Sequence, residues 1–171
     1  AVTTDSGFFI LPRSSFADCP QADIICVPGG HGVRDAIADA QIVDFVRTQA
    51  SAAQYITSVC TGAFILGAAN LLHGKEATCH WAYTHLLPMF GATHRAARVV
   101  RDGNLVTAGG VTSGIDFALE LISDIAGEDV ARTIQLALEY DPAPPFSGGT
   151  PANAPDAILS NLRARVYEKA A

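Results

Sequence analysis

Apolar and polar residues follow two different periods along the chain, one typical of buried strands and one typical of helices. The run at 23–27 (DIICV), apolar after its first residue, and the short β-branched run at 55–59 (YITSV) predict two buried parallel strands. Between them, apolar residues in 33–52 recur with the spacing of an amphipathic helix. Strands that alternate with helices in this way are typical of βαβ units and a parallel sheet.

The rest of the chain continues this alternation and adds one hairpin. Segment 98–109 alternates around Asp102 and Gly103, a pair typical of a tight β-hairpin. The pattern also predicts a short strand over 75–79 and helices over 62–72, 81–89, 112–125, 128–140 and 155–169. We therefore predict one α/β domain over residues 1–171, with a doubly wound parallel sheet and helices on both faces.

The start of the chain does not fit this scheme. Residues 1–22 contain no buried strand followed by a helix, although a doubly wound sheet usually begins with a central strand. We therefore expect this stretch of sequence to lack the N-terminal strand–helix unit of its fold.

Composition narrows the range of partners. The chain has 171 residues, of which 49% are hydrophobic, and this apolar content is enough for a sizeable core. Its net charge is -6. Its 11 Lys and Arg residues are scattered, which argues against nucleic acid as a partner and favours a small molecule or another protein. No apolar run is long enough to span a membrane and no signal peptide is evident, so we expect a soluble, cytoplasmic protein. The four cysteines form no CxxC pair and are expected to be reduced.

One cysteine lies in a pattern typical of a nucleophile. Residues 58–62 (SVCTG) place Cys60 between a predicted strand and a predicted helix, with small residues two positions away on each side. This is the pattern of a nucleophile elbow, a sharp turn that raises the reactive side chain above the sheet. The helix N-terminus would favour the thiolate, and the amide of Thr61 could point at an oxyanion.

A second loop could complete this anion site. Residues 28–32 (PGGHG) follow the first predicted strand, and their glycines allow positive φ angles. In a parallel sheet this loop neighbours the elbow. We predict that the main-chain amide of Gly30 turns inward beside that of Thr61.

The other candidate residues have structural alternatives. Cys19, Cys26 and Cys79 are expected to pack as small hydrophobic residues, and Asp116 to support the start of a helix. His80 could be a hydrogen-bonded core histidine or a functional group. The spacing of the cysteines and histidines lacks the paired pattern of a zinc site, so no metal is predicted.

Three stretches together resemble the ThiJ/PfpI superfamily of glutamine-amidotransferase-like proteins: "PGGHG", "SVCTGAFILGAANLLHGKEATCHWAY" and "RDGNLVTAGGVTSGIDFALEL". The resemblance extends from about Ser6 to Pro145. Within the superfamily, the CTG of the elbow, the Cys79-His80-Trp81 run, "GGVTSGID" and "LEYDPAPPFSGGTP" are most similar to members that hydrate organic isocyanides.

This resemblance implies a flavodoxin-like homodimer that hydrates an isocyanide to an N-substituted formamide without metal or organic cofactor. By position, Cys60 is the nucleophile, Thr61 follows it in the pocket, and His80 lies near the cysteine. Gly29, Gly30 and His31, with Thr61, are expected to bind the substrate or its oxyanion. Relatives also carry an acidic residue after their first strand, which we expect upstream of Ala1.

Other functions remain open at this point. Another cysteine-dependent enzyme of the superfamily, glyoxalase-like or amidase-like, would use the same thiolate on a carbonyl. The domain could instead sense a ligand for a transcription regulator, although the chain ends in one charged helix with no basic helix-turn-helix. A third alternative is a redox-responsive protein in which the thiol itself is oxidised.

Overall fold

The structure, a computed structural model, describes residues 1–4 and 6–167 of the chain. Its strands in chain order are β1 (Val2–Thr3), β2 (Phe9–Ile10), β3 (Ile24–Val27), β4 (Tyr55–Val59), β5 (Glu76–Ala77), β6 (Thr93–His94), β7 (Val99–Asp102) and β8 (Leu105–Ala108). Its α-helices are α1 (Val33–Ala38), α2 (Ala40–Ala50), α3 (Ala63–Ala68), α4 (Ser113–Ala126), α5 (Glu128–Ala137) and α6 (Asp156–Leu162). Two 3-10 helices (Cys60–Gly62 and Trp81–Phe90) and a π-helical turn (Arg163–Tyr167) complete the regular elements of these residues.

The central sheet has four strands in the order β3-β4-β8-β7. β3, β4 and β8 run parallel, with Ile25 opposite Ile56 and Ile56 opposite Leu105. β7 is antiparallel to β8, because the two strands form the hairpin predicted at Asp102 and Gly103. The α/β class is therefore confirmed, while the expectation of a wholly parallel sheet is corrected to a mixed, mostly parallel one.

Alternate strand residues face two separate cores, as the period of two requires. The larger core lies between one face and helices α1 to α3 and includes Ile25, Val27, Ile56, Phe64, Leu66 and Leu105. The smaller core joins the other face to α4 through Val106, Ala108, Phe117 and Leu121. The prediction of helices on both faces is confirmed.

β3 lies at one edge of this sheet. Among the described residues no strand pairs with its outer side, and on the face of the smaller core Ile24 is 41% exposed. Cys26 is exposed on the same face, so the expectation that it packs as a small hydrophobic residue is wrong, because no strand that the structure describes covers this edge. Among the same residues β1 and β2 pair only with each other, antiparallel and exposed. The N-terminal strand–helix unit expected from the sequence stays a prediction, as does the single domain over residues 1–171.

The predicted helix over 33–52 is in fact two helices. Asp39 between them is extended, with φ -86° and ψ 107°, and its carboxylate accepts a hydrogen bond from the amide of Gln41 at 2.8 Å. The side chain therefore caps α2 and starts a new helix in a new direction. Apolar spacing alone cannot show such a break, because α1 and α2 both contribute to the larger core.

Several other elements differ from their predicted bounds. The helix predicted over 62–72 is a 3-10 turn and the six residues of α3, and Asn70 beyond it adopts a φ of +61°. The helix predicted over 81–89 is a 3-10 helix, the strand over 75–79 shortens to β5, and the helix over 155–169 is α6 and a π-helical turn. The end of that last prediction, residues 168 and 169, lies outside the described residues. No helix that the structure describes is long and apolar enough to cross a membrane.

Candidate active site

Cys60 lies directly after β4, in the sharp turn that the sequence predicts. Its φ is +62°, a left-handed conformation that costs an L-residue about 1–2 kcal/mol. Its amide donates to the carbonyl of Gly109, beyond the end of β8, at 2.8 Å. The turn therefore has the geometry of a nucleophile elbow, and Cys60, which is partly exposed, lies at the carboxyl end of the parallel strands.

Two glycines allow the loop after β3 to lie directly against this elbow. A Cβ on Gly29 would stand 2.7 Å from the Cβ of Cys60 and from both the amide nitrogen and the hydroxyl of Thr61. A Cβ on Gly62 would stand 2.1 Å from the carbonyl oxygen of Val27. A side chain at either position would separate the two loops, so the close approach depends on both glycines.

The amide of Gly30 donates a hydrogen bond to the hydroxyl of Thr61 at 3.1 Å. Thr61 therefore ties the two loops together. That the Gly30 amide binds an oxyanion beside the Thr61 amide stays a prediction. His31 follows in the same loop and is exposed.

His80 caps the start of the 3-10 helix Trp81–Phe90. Its Nδ1 accepts a hydrogen bond from the amide of Ala82 at 3.3 Å, which assigns the proton of the neutral ring to Nε2. Its ring packs against those of Trp81 and Tyr83, with centroids 5.5 and 5.9 Å away. Burial lowers the pKa of His80, so the ring is neutral near pH 7 and acts as a donor through Nε2.

Cys79 precedes this histidine and has a different chemical character from Cys60. It is 2% exposed, and its thiol donates to the carbonyl of His80 at 3.5 Å. Burial, with a smaller contribution from the charge of Cys60, raises the pKa of the Cys79 thiol to about 12. Cys79 is therefore a protonated, packed residue, as the sequence predicts, and Cys60 is the thiol available for reaction.

The loop after β8 joins Cys60 to His80, and the sequence analysis did not identify this role. Gly109 accepts from the amide of Cys60, and the next residue, Gly110, lies against the His80 ring. His80 and Gly110 are 30 positions apart in the chain, so no local pattern could have revealed the contact. The doublet of glycines directly after a strand is the one signal that the sequence offered.

Two further polar groups lie close to these loops. Asp116, in the first turn of α4, forms an ion pair with Arg98 and accepts from the hydroxyl of Tyr140 at 2.9 Å. These contacts join the first turn of α4 to Arg98 and Tyr140, and a direct role of Asp116 at the helix start stays a prediction. Ser58, two residues before Cys60, is fully buried, and its hydroxyl has no hydrogen-bond partner among the residues that the structure describes.

A thiol and a neutral imidazole thus lie on adjoining loops. Cys60 presents a thiol above the sheet, and the neutral ring of His80 carries a proton on Nε2. This combination suits addition of the thiol to an electrophilic carbon. Among residues 1–4 and 6–167, no group of three or more His, Cys, Asp or Glu side chains is arranged to hold a metal ion.

The fold and the site define the class: an α/β protein with a cysteine at a nucleophile elbow. The sequence profile of the DJ-1/PfpI family matches residues 1–124. The chain belongs to the DJ-1/PfpI family, which confirms the resemblance to ThiJ/PfpI proteins.

Individual relatives agree with this assignment. Isonitrile hydratase from Pseudomonas putida is 55% identical over 164 residues, which cover 96% of this chain and 72% of that protein. The crystal structure of a ThiJ/PfpI family protein from Pseudomonas syringae superposes with a TM-score of 0.92, at 42% identity, over 99% of this chain and 72% of that chain. The transcriptional regulator GbdR from Pseudomonas aeruginosa is 30% identical over 82% of this chain and 38% of its own length.

Proposed function

We propose that the protein hydrates organic isocyanides to N-substituted formamides, with Cys60 as the nucleophile. The observation that carries this proposal is the 55% identity to isonitrile hydratase over 96% of the chain, since isonitrile and isocyanide are two names for the same functional group. The placement of Cys60 at the elbow supports it, because the reaction requires an accessible thiolate beside a proton donor.

The reaction proceeds in two balanced stages. The Cys60 sulfur attacks the terminal carbon of the isocyanide, and the proton that the thiol releases ends on that carbon, which gives a thioimidate with a C–S bond. Water then adds across the C=N bond, placing hydroxyl on carbon and hydrogen on nitrogen. Cleavage of the C–S bond releases the formamide, and the hydroxyl proton passes to the sulfur, which restores the Cys60 thiol. Overall one isocyanide and one water give one formamide, with no change of redox state.

In this scheme His80 donates a hydrogen bond through Nε2–H to the reacting group on Cys60 and keeps its proton. The Thr61 amide and the loop of Gly29, Gly30 and His31 bind the substrate and the oxygen that forms on its carbon. For Gly30 this requires its amide to leave the Thr61 hydroxyl when substrate binds, because the amide donates to that hydroxyl at 3.1 Å. The acidic residue expected upstream of Ala1 stays a prediction.

The proposal is tested by following formamide formation from an aryl isocyanide by NMR. We expect turnover by the wild-type chain, none by Cys60→Ala, and wild-type turnover by Cys26→Ala, a matched control at an exposed cysteine in β3. A wild-type protein without turnover, or a Cys60→Ala variant that retains it, would refute the proposal. Turnover of a small aldehyde or amide instead would favour the glyoxalase-like or amidase-like alternative.

A second candidate is a ligand-sensing domain, and the 30% identity to GbdR favours it over other non-enzymatic functions. A sensor binds its ligand without consuming it. Calorimetry with an isocyanide or a related small molecule separates the two: saturable heat with an unchanged ligand supports the sensor, and a continuing heat of reaction supports the enzyme. The redox alternative predicts oxidation of Cys60 by dilute peroxide, detectable by mass spectrometry.

We further propose that the protein is a homodimer. In the exposed β1–β2 hairpin and its flanks, Phe8, Phe9 and Leu11 are 71%, 75% and 83% exposed, and large apolar side chains of this kind are usually covered by a partner. Light scattering after size exclusion tests this, with a monomer mass as the contradicting result. The cytoplasmic location remains a prediction from the sequence.

A further inference from the structure

Gly109 and Gly110 connect the backbone of Cys60 to the side chain of His80. The carbonyl of Gly109 accepts from the Cys60 amide at 2.8 Å, and the Gly109 amide donates to Arg98 at the same distance. On the other side, a Cβ built on Gly110 would stand 2.8 Å from Cδ2 and 3.4 Å from Nε2 of His80. The Nε2 atom is the one that carries the proton of the neutral ring. The dipeptide is therefore a short spacer between the two groups.

Ser113 holds this spacer in place from the start of α4. Its hydroxyl and its amide both donate to the carbonyl of Gly110, at 2.7 and 2.8 Å. Ser113 is 1% exposed, so water competes little for these hydrogen bonds. Two bonds to one carbonyl fix the position of the Gly110 backbone against the imidazole.

The need for glycine at position 110 is one of space and not of backbone conformation. The φ of Gly110 is outside the positive range where glycine is favoured. The backbone conformation at position 110 is therefore one that other residue types can adopt, and a side chain there would meet the His80 ring. Gly114, one turn further on, provides a contrast: a Cβ there meets only Val59, at 3.6 Å, an ordinary contact distance.

We propose that Gly110 is a positioning residue that sets the place of the His80 imidazole relative to Cys60, with Ser113 holding Gly110 itself in position. The inference rests on the proposed function, in which His80 donates a hydrogen bond through Nε2–H to the reacting group on Cys60. A methyl group at position 110 must push the ring away, since two non-bonded carbon atoms 2.8 Å apart overlap sterically. Displacement of a catalytic group by about 1 Å can cost on the order of 100-fold in rate.

The test compares Gly110→Ala with Gly114→Ala, two additions of one methyl group on either side of Ser113. Gly110→Ala should lower kcat for formamide formation by about 10- to 100-fold with a smaller change in KM, and Gly114→Ala should stay within about twofold of wild type. Ser113→Ala adds no volume and should lower kcat in the same direction, by about threefold to tenfold. It keeps the inference testable if Gly110→Ala fails to fold.

A double-mutant cycle separates positioning from a general structural effect. His80→Ala removes the ring that the methyl group would meet, so Gly110→Ala should cost nothing more in that background. Equal losses in the wild-type and His80→Ala backgrounds would overturn the inference, because the methyl group would then act elsewhere. The same holds if Gly114→Ala reduces turnover as much as Gly110→Ala.

A readout independent of turnover is the NMR titration of the His80 ring, assigned by its loss in His80→Gln. Displacement toward solvent in Gly110→Ala should raise the His80 pKa toward its ordinary value, whereas Gly114→Ala should leave it unchanged. If the wild-type chain turns over no isocyanide, the proposed function fails, and this titration still decides the role of Gly110. If turnover is normal and neither kcat nor the His80 titration changes in Gly110→Ala, the inference fails alone.

Discussion

Replacing Cys79 by alanine should change how the stability of the protein depends on alkaline pH. The side chain is 2% exposed, and burial, followed by the charge of Cys60, raises its pKa from an ordinary value of 9.0 to about 12. In the unfolded chain the thiol ionises near its ordinary value. Between these two pH values the native state keeps a proton that the unfolded state releases.

The sign and size of the effect follow from this difference. Because the native state binds more protons, the free energy of unfolding falls as the pH rises through the unfolded pKa of 9.0. Below that pH the contribution is fully present. The loss is about 1 kcal/mol between about pH 9 and 10 and about 4 kcal/mol once the thiol is ionised in both states.

Urea unfolding of the wild-type protein and Cys79→Ala at about pH 8, 9 and 10 measures the effect. Cys79→Ala starts less stable because it loses buried volume, but its stability should decline by about 1 kcal/mol less between the last two pH values. Cys26→Ala, at an exposed cysteine, should show the wild-type decline. Identical pH dependence in wild type and Cys79→Ala would refute the reasoning, since the thiol would then ionise alike in both states.

Three further predictions concern the packing around the elbow. Burial lowers the pKa of His80 below its ordinary value of 6.5, so the free energy of unfolding should fall as the pH drops below that value. His80→Phe should reduce this acid dependence, as measured by urea titrations at several pH values. Ser58→Ala removes a buried hydroxyl without a partner and should raise the free energy of unfolding by about 1 kcal/mol; a loss in thermal melts would mean that the hydroxyl is bonded. Gly62→Ala places a Cβ 2.1 Å from the Val27 carbonyl oxygen and should lower the free energy of unfolding by about 3 kcal/mol or more in urea. Gly32→Ala, whose added Cβ meets no atom within 4 Å, should lower it little. Equal losses in the two variants would argue against the contact.

The parts of the fold that the sequence predicted best are governed by local chemistry. The hairpin at Asp102 and Gly103 requires a positive φ at glycine, and Gly103 has a φ of +67°. The parallel strands at 24–27 and 55–59 follow from short apolar runs bounded by polar or turn residues. Each of these depends on a few consecutive residues, so the pattern contains the information needed.

Other features were predicted incompletely, because local pattern and tertiary structure compete there. Asp39 interrupts a continuous apolar period and begins α2, since one carboxylate–amide hydrogen bond stabilises the second helix start. Asn70, a residue that tolerates left-handed backbone, adopts that conformation just beyond α3, before the apolar pattern ends. Asp39 is a typical helix start and Asn70 a typical helix end, but a prediction from apolar periodicity alone does not take either residue into account.

The candidate site was also predicted only in part, because the strained backbone at Cys60 depends on both adjacent and distant residues. Cys60 was recognisable because a sharp turn between strand and helix needs small neighbours within two residues on each side. The surrounding structure holds its left-handed φ: the loop at Gly29 lies so close that it leaves no room for a side chain there, and the carbonyl of Gly109 accepts a hydrogen bond from the Cys60 amide. These contacts come from the loops after β3 and β8, 31 and 49 positions away in the chain. The turn at Cys60 is thus specified by adjacent residues, while its surroundings depend on glycines in other loops. Substitutions that spare Cys60 but add volume to those loops should therefore slow the proposed reaction even though the thiol is intact.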